Sequence, residues 1–399
     1  MRGKSLPMAR LILKRGAERR LRAGHPWVYR GEIADLKGKW SAGEAVDVLA
    51  AGGQFVGRGF YNPRPTLACR LLTGEDEPID GAFVLRRLRT AYGYREAAAL
   101  VGDAYRLCWS EGDGLPGLVV DRYGPVSVVQ SLTLGMSRAM PWIASALAEL
   151  FPEGSIYRLD DSTAARIEGF EVERGWLAPP HPDHADEIVV TEGACRFAVA
   201  LGSGHKTGFY LDQRENRRAV AAVAGGRRML DAFSYTGAFA CHGLRAGATQ
   251  ALLIDSSAEA LGLARRNLEL NGLADRAELR EANAFDALRE LEAARRRFGL
   301  IVLDPPPFTR RKDAVEAAAR GYKEINLRAL RLLEPGGVLA TFSCSHHVTP
   351  AVFEAVCRDA AGDSGIQPRV ISTLGQARDH PVLLTVPETR YLTGLLLQV

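Results

Sequence analysis

Cys344 and Asp304 are the two side chains whose types and placement could carry covalent chemistry. Cys344 sits in Thr341-Phe342-Ser343-Cys344-Ser345, where the apolar run Gly337–Phe342 gives way to polar residues. Asp304 closes the apolar run Leu300–Leu303 and opens Asp304-Pro305-Pro306-Pro307-Phe308. A thiolate can add to the electron-poor carbon of a pyrimidine, and a carboxylate can hold the polar edge of the same ring. The pair therefore points to a base-modifying site. The plainer readings are a cysteine that only packs and prolines that only end a strand. His346 and His347, directly after the cysteine, would favour its thiolate, less so where solvent screens them.

Strands must hold both groups, and the sequence from Glu187 onward supplies them. Strand-like runs at Arg228–Ala232, Gln250–Ile254, Ala277–Glu281, Gly299–Leu303 and Gly337–Phe342 alternate with helical spacing at Gly237–Arg245, Ser257–Leu270, Phe285–Ala294, Ala314–Leu333 and Pro350–Ala361. Such alternation predicts an α/β fold with a parallel, doubly wound sheet. Tyr391–Val399 reads as a final strand with no helix after it, at the sheet's edge. Ligands of open sheets lie beyond the carboxyl ends of the strands, and those ends carry Asp231, Asp255, Asn283, Asp304 and Cys344. The first turn, Asp231-Ala232-Phe233-Ser234-Tyr235-Thr236-Gly237, lacks the GxGxxG that a pyrophosphate requires, which counts against NAD or FAD. An acidic, aromatic turn suits S-adenosylmethionine, a sulfonium and amine without phosphate. Asp255, eighteen residues after Gly237, stands where an acid accepts ribose hydroxyls, and Asn283 where a side chain reaches an adenine edge. Helix capping is the competing role, above all for Asp255 and Ser256.

Upstream, short β-like runs at Arg10–Leu13, Ala45–Leu49, Gln54–Phe60 and Leu67–Leu72 predict a small barrel. Asp80 to Ala178 reads as an α+β block with helices at Phe83–Leu100 and Pro141–Phe151, and strands within Leu118–Leu132 and at Ile156–Leu159. The proline-rich Pro179–His184 reads as a linker, and its HxxH spacing does not make a metal site. At 399 residues, with 47% hydrophobic and 25% charged residues, the chain fits a multidomain globular protein. No membrane span or secretory leader is expected. Six scattered cysteines without a CxxC pair fit a reduced cytoplasm, with five of them packing residues. The net charge of +4 is mild, but Arg2, Lys4, Arg10, Lys14, Arg15, Arg19, Arg20, Arg22 and Arg30 are opposed in their span only by Glu18. Such a lead suits a phosphate backbone, with a solvated basic face as the alternative.

Four segments together resemble the bacterial 23S ribosomal RNA cytosine-C5 methyltransferases. They are Lys206-Thr207-Gly208-Phe209-Tyr210-Leu211-Asp212-Gln213-Arg214, the Asp231–Gly237 turn, Asp304-Pro305-Pro306-Pro307-Phe308 and Phe342-Ser343-Cys344-Ser345. The resemblance covers essentially the whole chain. It implies a PUA-like RNA-binding β-barrel over 1–75, a central α+β domain over 76–186, and a class I (Rossmann-like) methyltransferase domain over 187–399. It also implies S-adenosyl-L-methionine as methyl donor, and 23S rRNA or a ribosomal precursor particle as partner, with a homodimer allowed. Carried onto these positions, Cys344 is the nucleophile, and Asp304 holds the base and borders the cofactor. Asp231, Phe233, Tyr235, Thr236, Gly237, Asp255, Ser256 and Asn283 face the cofactor. Gln213 joins them by similarity to the related uridine enzymes. Phe308 stacks on the base, and Lys206 and Arg214 are placed toward the RNA. Arg214, Arg217, Arg310, Arg311 and Lys312 could meet its phosphates around the mouth, with solvated surface cations as the equal alternative. Glu388 is one candidate for removing the C5 proton, a surface acid being the plainer reading. Two positions depart from the family pattern: Pro307 where lysine is common, and Asn283 where an acid is common. A methyltransferase acting on a guanine nitrogen, a uridine-C5 enzyme and a non-catalytic assembly factor stay open as alternatives.

Overall fold

The structure, a computed structural model, describes residues 8–180, 187–201, 208–309, 314–345 and 347–399. Chain packing divides it into two compact units. One takes the chain through residue 188 together with 199–209 and 378–389; the other takes 189–198, 210–377 and 390–399.

The first unit contains two sheets. The strands β1 (Arg10–Leu13), β2 (Trp27–Tyr29), β3 (Ile33–Lys37), β4 (Ala45–Leu49), β5 (Phe55–Tyr61) and β6 (Leu67–Thr73) form one, in the order β2-β6-β5-β4-β1-β3. All six contribute to a single core around Leu11, Leu13, Val28, Val46, Val48 and Tyr61, as a small barrel requires. A short helix, α1 (Glu18–Arg22), interrupts the basic lead where no helix was expected, because Leu21 is its one buried residue and no apolar period marks it. The second sheet holds β7 (Ala104–Trp109), β8 (Leu118–Tyr123), β9 (Val126–Ser131), β10 (Ser155–Leu159) and β11 (Arg174–Trp176). Helices α2 (Gly81–Ala97) and α4 (Met140–Leu150) pack on it through Phe83, Leu88, Ile143 and Leu147, with the shorter α3 (Leu134–Arg138) and α5 (Ser162–Glu168) between strands. Residues 378–389, expected within the methyltransferase domain, pack here instead. Buried Asp379 accepts from the Arg106 amide at 3.0 Å, and its carbonyl accepts from Arg95 Nη2 at 2.7 Å.

A hairpin, β12 (Glu187–Glu192) and β13 (Cys195–Ala200), leads to the second unit's sheet. There the strands are β14 (Arg228–Ala232), β15 (Gln250–Asp255), β16 (Ala277–Glu281), β17 (Phe298–Leu303), β18 (Leu333–Ser343), β19 (Arg369–Gly375) and β20 (Thr393–Gln398). Their order is β16-β15-β14-β17-β18-β20-β19. The first five run parallel, and β20 is antiparallel to both neighbours. The expectation that the last strand lies at the edge is therefore wrong. β20 is buried between β18 and β19, and the edge belongs to β19, which left no apolar signal because most of its residues are exposed or only half-buried.

The connecting helices are α6 (Arg214–Ala221), α7 (Ala238–Arg245), α8 (Ala258–Leu270), α9 (Ala284–Ala293), α10 (Val315–Leu332) and α11 (Pro350–Ser364). Strand alternation sends Leu230, Ala232, Leu252 and Ile254 into a core with α9, α10 and α11. The alternate residues Met229 and Leu253 meet Gly243 and Gly237 at the α7 side, so both faces of the sheet are covered. Ser257, Asn283 and Thr349 cap α8, α9 and α11, each accepting a backbone N–H of the first turn, and Pro350 adds a preset first residue to α11. No helix among the described residues is long and apolar enough to cross a membrane.

Candidate active site

The turn after β14 is strained in a way that few side chains tolerate. Phe233 and Tyr235 adopt φ of 63° and 46°, and Gly237 follows at 72°. A Cβ on Gly237 would stand 2.9 Å from Leu253 Cδ2 and 3.2 Å from Ala264 Cβ, so glycine is required by space as well as by φ. Hydrogen bonds hold this geometry. The Ser234 amide donates to the Ile254 carbonyl at 3.0 Å, and the Tyr235 amide to Asp255 Oδ2 at 2.8 Å. Asp255 Oδ1 accepts from the Ser257 amide at 2.9 Å, while Ser256 is exposed beside it. Asp255 thus ties two turns together and is not the cap of α8, which is Ser257.

Beneath the turn lies Asp231, fully buried, its Oδ2 accepting from the Ala240 amide at 3.1 Å. Its Oδ1 has no hydrogen-bond partner among the described residues, and neither has buried Ser234 Oγ. Burial, with Asp304 and Asp255 nearby, pushes the Asp231 carboxyl well above the usual range against the pull of the Ala240 amide. Two orphaned polar atoms under an aromatic, strained turn match a ligand that brings its own donors and acceptors.

Asp304 follows β17, whose six residues are all buried. β18 lies alongside, Leu303 opposite Thr341, so the two strands deliver Asp304 and Cys344 to the same edge of the sheet. Cys344 Sγ sits 3.6 Å from the Pro305 carbonyl oxygen. The Phe308 amide donates to Ser345 Oγ at 3.1 Å, and Ser345 Oγ lies 2.9 Å from the Tyr322 hydroxyl. Of the six cysteines Cys344 is the one not buried. Burial pushes Cys69 and Cys357 up to about 12, and raises Cys108, Cys195 and Cys241 as well. Tyr210 also belongs here: its phenol is pushed up first by burial, then by Tyr235, Asp304, Asp212 and Cys344. Its ring meets Tyr235 edge-on at 5.0 Å.

A protein of Klebsiella pneumoniae (strain 342) named ribosomal RNA large subunit methyltransferase I is 41% identical to this chain over 394 residues, 98% of each. The protein of the same name from Escherichia coli O9:H4 (strain HS) is 40% identical, over 98% of this chain and 99% of its own. The chain belongs to the ribosomal RNA large subunit methyltransferase I family. A PUA-like domain model matches residues 11–74, and an S-adenosylmethionine-dependent methyltransferase model matches 173–365. The fold is shared with a solved methyltransferase complexed with SAH (TM-score 0.85, 19% identity), over 98% of this chain and 100% of that one. It is shared equally with a Streptococcus mutans structure titled as a SAM-dependent methyltransferase (TM-score 0.84, 18% identity), over the same shares.

In this family member the residues around the β14 turn fit S-adenosylmethionine. Asp231 Oδ1 and Ser234 Oγ offer buried hydrogen-bonding atoms, Phe233 and Tyr235 offer half-buried rings, and Asp255 a partly exposed carboxylate. Thr236 is buried, its carbonyl accepting from Asn267 Nδ2 at 2.9 Å, which fixes the turn from behind. Asn283 lies at the end of β16, but its Oδ1 caps α9 by accepting from the Phe285 amide at 2.9 Å. Gln213 is buried, and its Oε1 accepts from Asn216 Nδ2 at 2.5 Å.

Other expectations change. Arg217 is no phosphate contact: it is 1% exposed, and its Nε and Nη2 each donate to Glu192 at 2.6 Å. Arg214 is likewise buried at 7% exposure and does not stand on an open surface. Burial of charged residues gives no signal in the sequence. Phe308 packs among Tyr322, Phe285 and Phe233, with ring centroids at 4.4, 5.6 and 6.4 Å, so its ring anchors the loop from inside the aromatic cluster. Glu388 lies in the first unit, where its Oε2 is 3.2 Å from His25 Nε2. Lys206, Arg310, Arg311, Lys312 and His346 lie outside the described residues. Tyr210, Tyr322 and Ser345 were missed as site residues, although Tyr210 and Ser345 stand inside the quoted motifs.

Proposed function

We propose that this chain methylates carbon 5 of a cytidine in 23S rRNA, with S-adenosylmethionine as donor and Cys344 as nucleophile. The observation that carries the chemistry is the one unburied thiol among six, delivered beside Asp304 at the carboxyl edge of the sheet. Carbon 5 of cytosine is too weak a nucleophile alone. The Cys344 thiolate adds to C6, and the C5–C6 π electrons become available at C5. Asp304, entering as the carboxylic acid, gives its proton to N3 as the thiolate adds, which draws electron density away from C6. Its carboxylate then holds the N3–H and N4–H edge and takes the N3 proton back when the thiolate leaves. The bound cofactor supplies an electrophilic methyl group. Loss of the C5 proton to a base and departure of the thiolate restore the ring.

The exposed cations Arg10, Lys14, Arg15, Arg19, Arg22 and Arg30, in β1, in α1, in the turn between them and just after β2, would hold the phosphate backbone. The target in this reading is rRNA, free or within a precursor particle, in the cytoplasm. The deciding experiment uses rRNA fragments containing 5-azacytidine. The wild type is expected to form a covalent complex and Cys344→Ala to form none and lose activity. A Cys344→Ala protein that still methylates rRNA would move the reaction to a ring nitrogen, where no thiol is needed.

A further inference from the structure

The two serines that flank Cys344 have no part in the chemistry above, yet both are 1% exposed and both are used. The Ser345 amide donates to Ser343 Oγ at 3.4 Å, folding the backbone around the cysteine into a side-chain-closed turn. Ser345 Oγ then reaches across to the neighbouring strand's loop, accepting from the Phe308 amide at 3.1 Å. On its other side lies the Tyr322 hydroxyl, at 2.9 Å, from the middle of α10. Tyr322 is itself fully buried, wedged between Phe308 at 4.4 Å and Phe353 at 5.6 Å. The thiol turn, the Asp304 loop and a core helix therefore meet at one hydroxyl.

We infer that Ser345 and Tyr322 are positioning residues, a clasp that fixes the Cys344 sulfur against the Asp304 loop. The inference rests on the cysteine-adduct reading and deepens it. β17 and β18 fix Asp304 and Cys344 only as far as Leu303 and Ser343; beyond the strands, proline-rich backbone and a polar turn must be held by something else. Pro305, Pro306 and Pro307 lack amide donors, so the Phe308 amide is the first after Asp304 able to bond back. Tyr322 keeps its proton because burial pushes the phenol up, so the clasp is not broken by titration near neutrality. An ångström of freedom in the sulfur relative to the base would cost rate and leave cofactor affinity nearly unchanged, since all the cofactor residues but Asp304 lie on other turns, and the β14 turn is held by its own bonds to Ile254 and Asp255.

The test compares Ser345→Ala, Ser345→Thr and Tyr322→Phe with the wild type in covalent trapping on 5-azacytidine rRNA, in steady-state methylation, and in calorimetry with S-adenosylmethionine. Ser345→Ala and Tyr322→Phe are expected to trap and turn over about 10- to 100-fold more slowly. Cofactor Kd and the KM for RNA should stay within about twofold, and Ser345→Thr should recover most of the rate. Tyr322→Phe keeps the ring and deletes only the hydroxyl, so it reads the clasp even where Ser345→Ala is poorly folded. Wild-type trapping with equally fast trapping by both variants overturns the clasp alone. Equal losses in cofactor affinity and rate also overturn it, since that is loosening of the whole unit. A wild type that never traps, with Cys344→Ala active, overturns the adduct reading and the clasp with it.

Discussion

Replacing Arg217 by methionine should destabilise the second unit severely, and the pH dependence should reveal why. Glu192, at the end of β12, is 4% exposed, and it accepts two hydrogen bonds of 2.6 Å from Arg217. His242 Nε2 stands 3.1 Å from Glu192 Oε1, and Arg217 Nη1 also donates to the Tyr210 carbonyl at 2.9 Å. Burial alone would push the Glu192 carboxyl up; the Arg217 charge and hydrogen bonds, with His242, override it and bring the group from 4.5 to about 2. At 1.36 kcal/mol per decade that displacement corresponds to a stability contribution on the order of 3 kcal/mol. A depressed carboxyl stabilises the fold above its ordinary value of 4.5 and loses that contribution as pH falls toward 2.

Methionine fills much of the volume but leaves a buried carboxylate without its main partner, which costs about 3–5 kcal/mol. The slope with pH should also reverse. In Arg217→Met the carboxyl resists ionisation, so stability falls as pH rises above the ordinary carboxylate range, where the wild type has already reached its plateau. Urea unfolding at pH 5 and pH 7.5 measures both quantities, and Glu192→Gln with Arg217→Met should recover much of the loss. A single variant within about 0.5 kcal/mol of wild type at both pH values would refute the reasoning, because no buried ion pair can be removed from one side so cheaply.

Iodoacetamide at neutral pH should modify Cys344 first and the other five thiols only on unfolding, since burial raises all five; peptide mapping that finds a second labelled cysteine in the folded protein contradicts this. Gly237→Ala forces a side chain into φ of 72° and against Leu253 and Ala264. It should cost about 1–3 kcal/mol and weaken S-adenosylmethionine binding, and calorimetry showing unchanged affinity would count against the assignment of this turn. Arg19→Ala and Arg22→Ala, at exposed positions of α1, should each reduce the slope of log K against log salt for rRNA binding by about one. Arg20→Ala should instead loosen the barrel, because Arg20 Nη2 already donates to Glu32 at 2.9 Å and to the Trp27 carbonyl at 2.8 Å; an unchanged slope in the first two variants removes this face from the RNA contact.

Much of the second unit was legible because parallel strands are buried on both faces and read as unbroken apolar runs. Arg228–Ala232 and Ala277–Glu281 end where the sequence pattern ends them. What escaped notice had a physical disguise. β7 carries a charge in its middle, and Arg106 is buried there only because Asp121 on β8 takes its guanidinium at 2.6 and 2.8 Å. α5 ends in Glu168, buried by Asn62 and Arg70, more than ninety residues earlier in the chain. β19 shows its side chains mostly to solvent. In the site, the motifs hold Cys344, Asp231 and Asp304, with Asp231 in β14 and the other two just past β18 and β17. Tyr322 carries no local signal, because its role exists only once α10 lies under the two loops. Arg217 looked like a surface cation until Glu192 was placed beside it.

The order β15-β14-β17-β18 sets Asp255, Asp231, Asp304 and Cys344 side by side along one edge. Strands spaced about 4.8 Å apart give this row a length of about 14 Å, which in the proposed reaction would span a cofactor and a base laid end to end. Asp304 occupies the junction. Its charge raises the carboxyl of Asp231 and the phenol of Tyr210, which Cys344 also raises. In the proposed reaction a carboxylate in that position borders both the cofactor's turn and the thiol's turn, where the methyl carbon and C5 of the base would have to meet. The chemistry therefore depends less on any single group than on the register of β17 with its two neighbours, which is fixed by the fully buried residues Phe298 to Leu303.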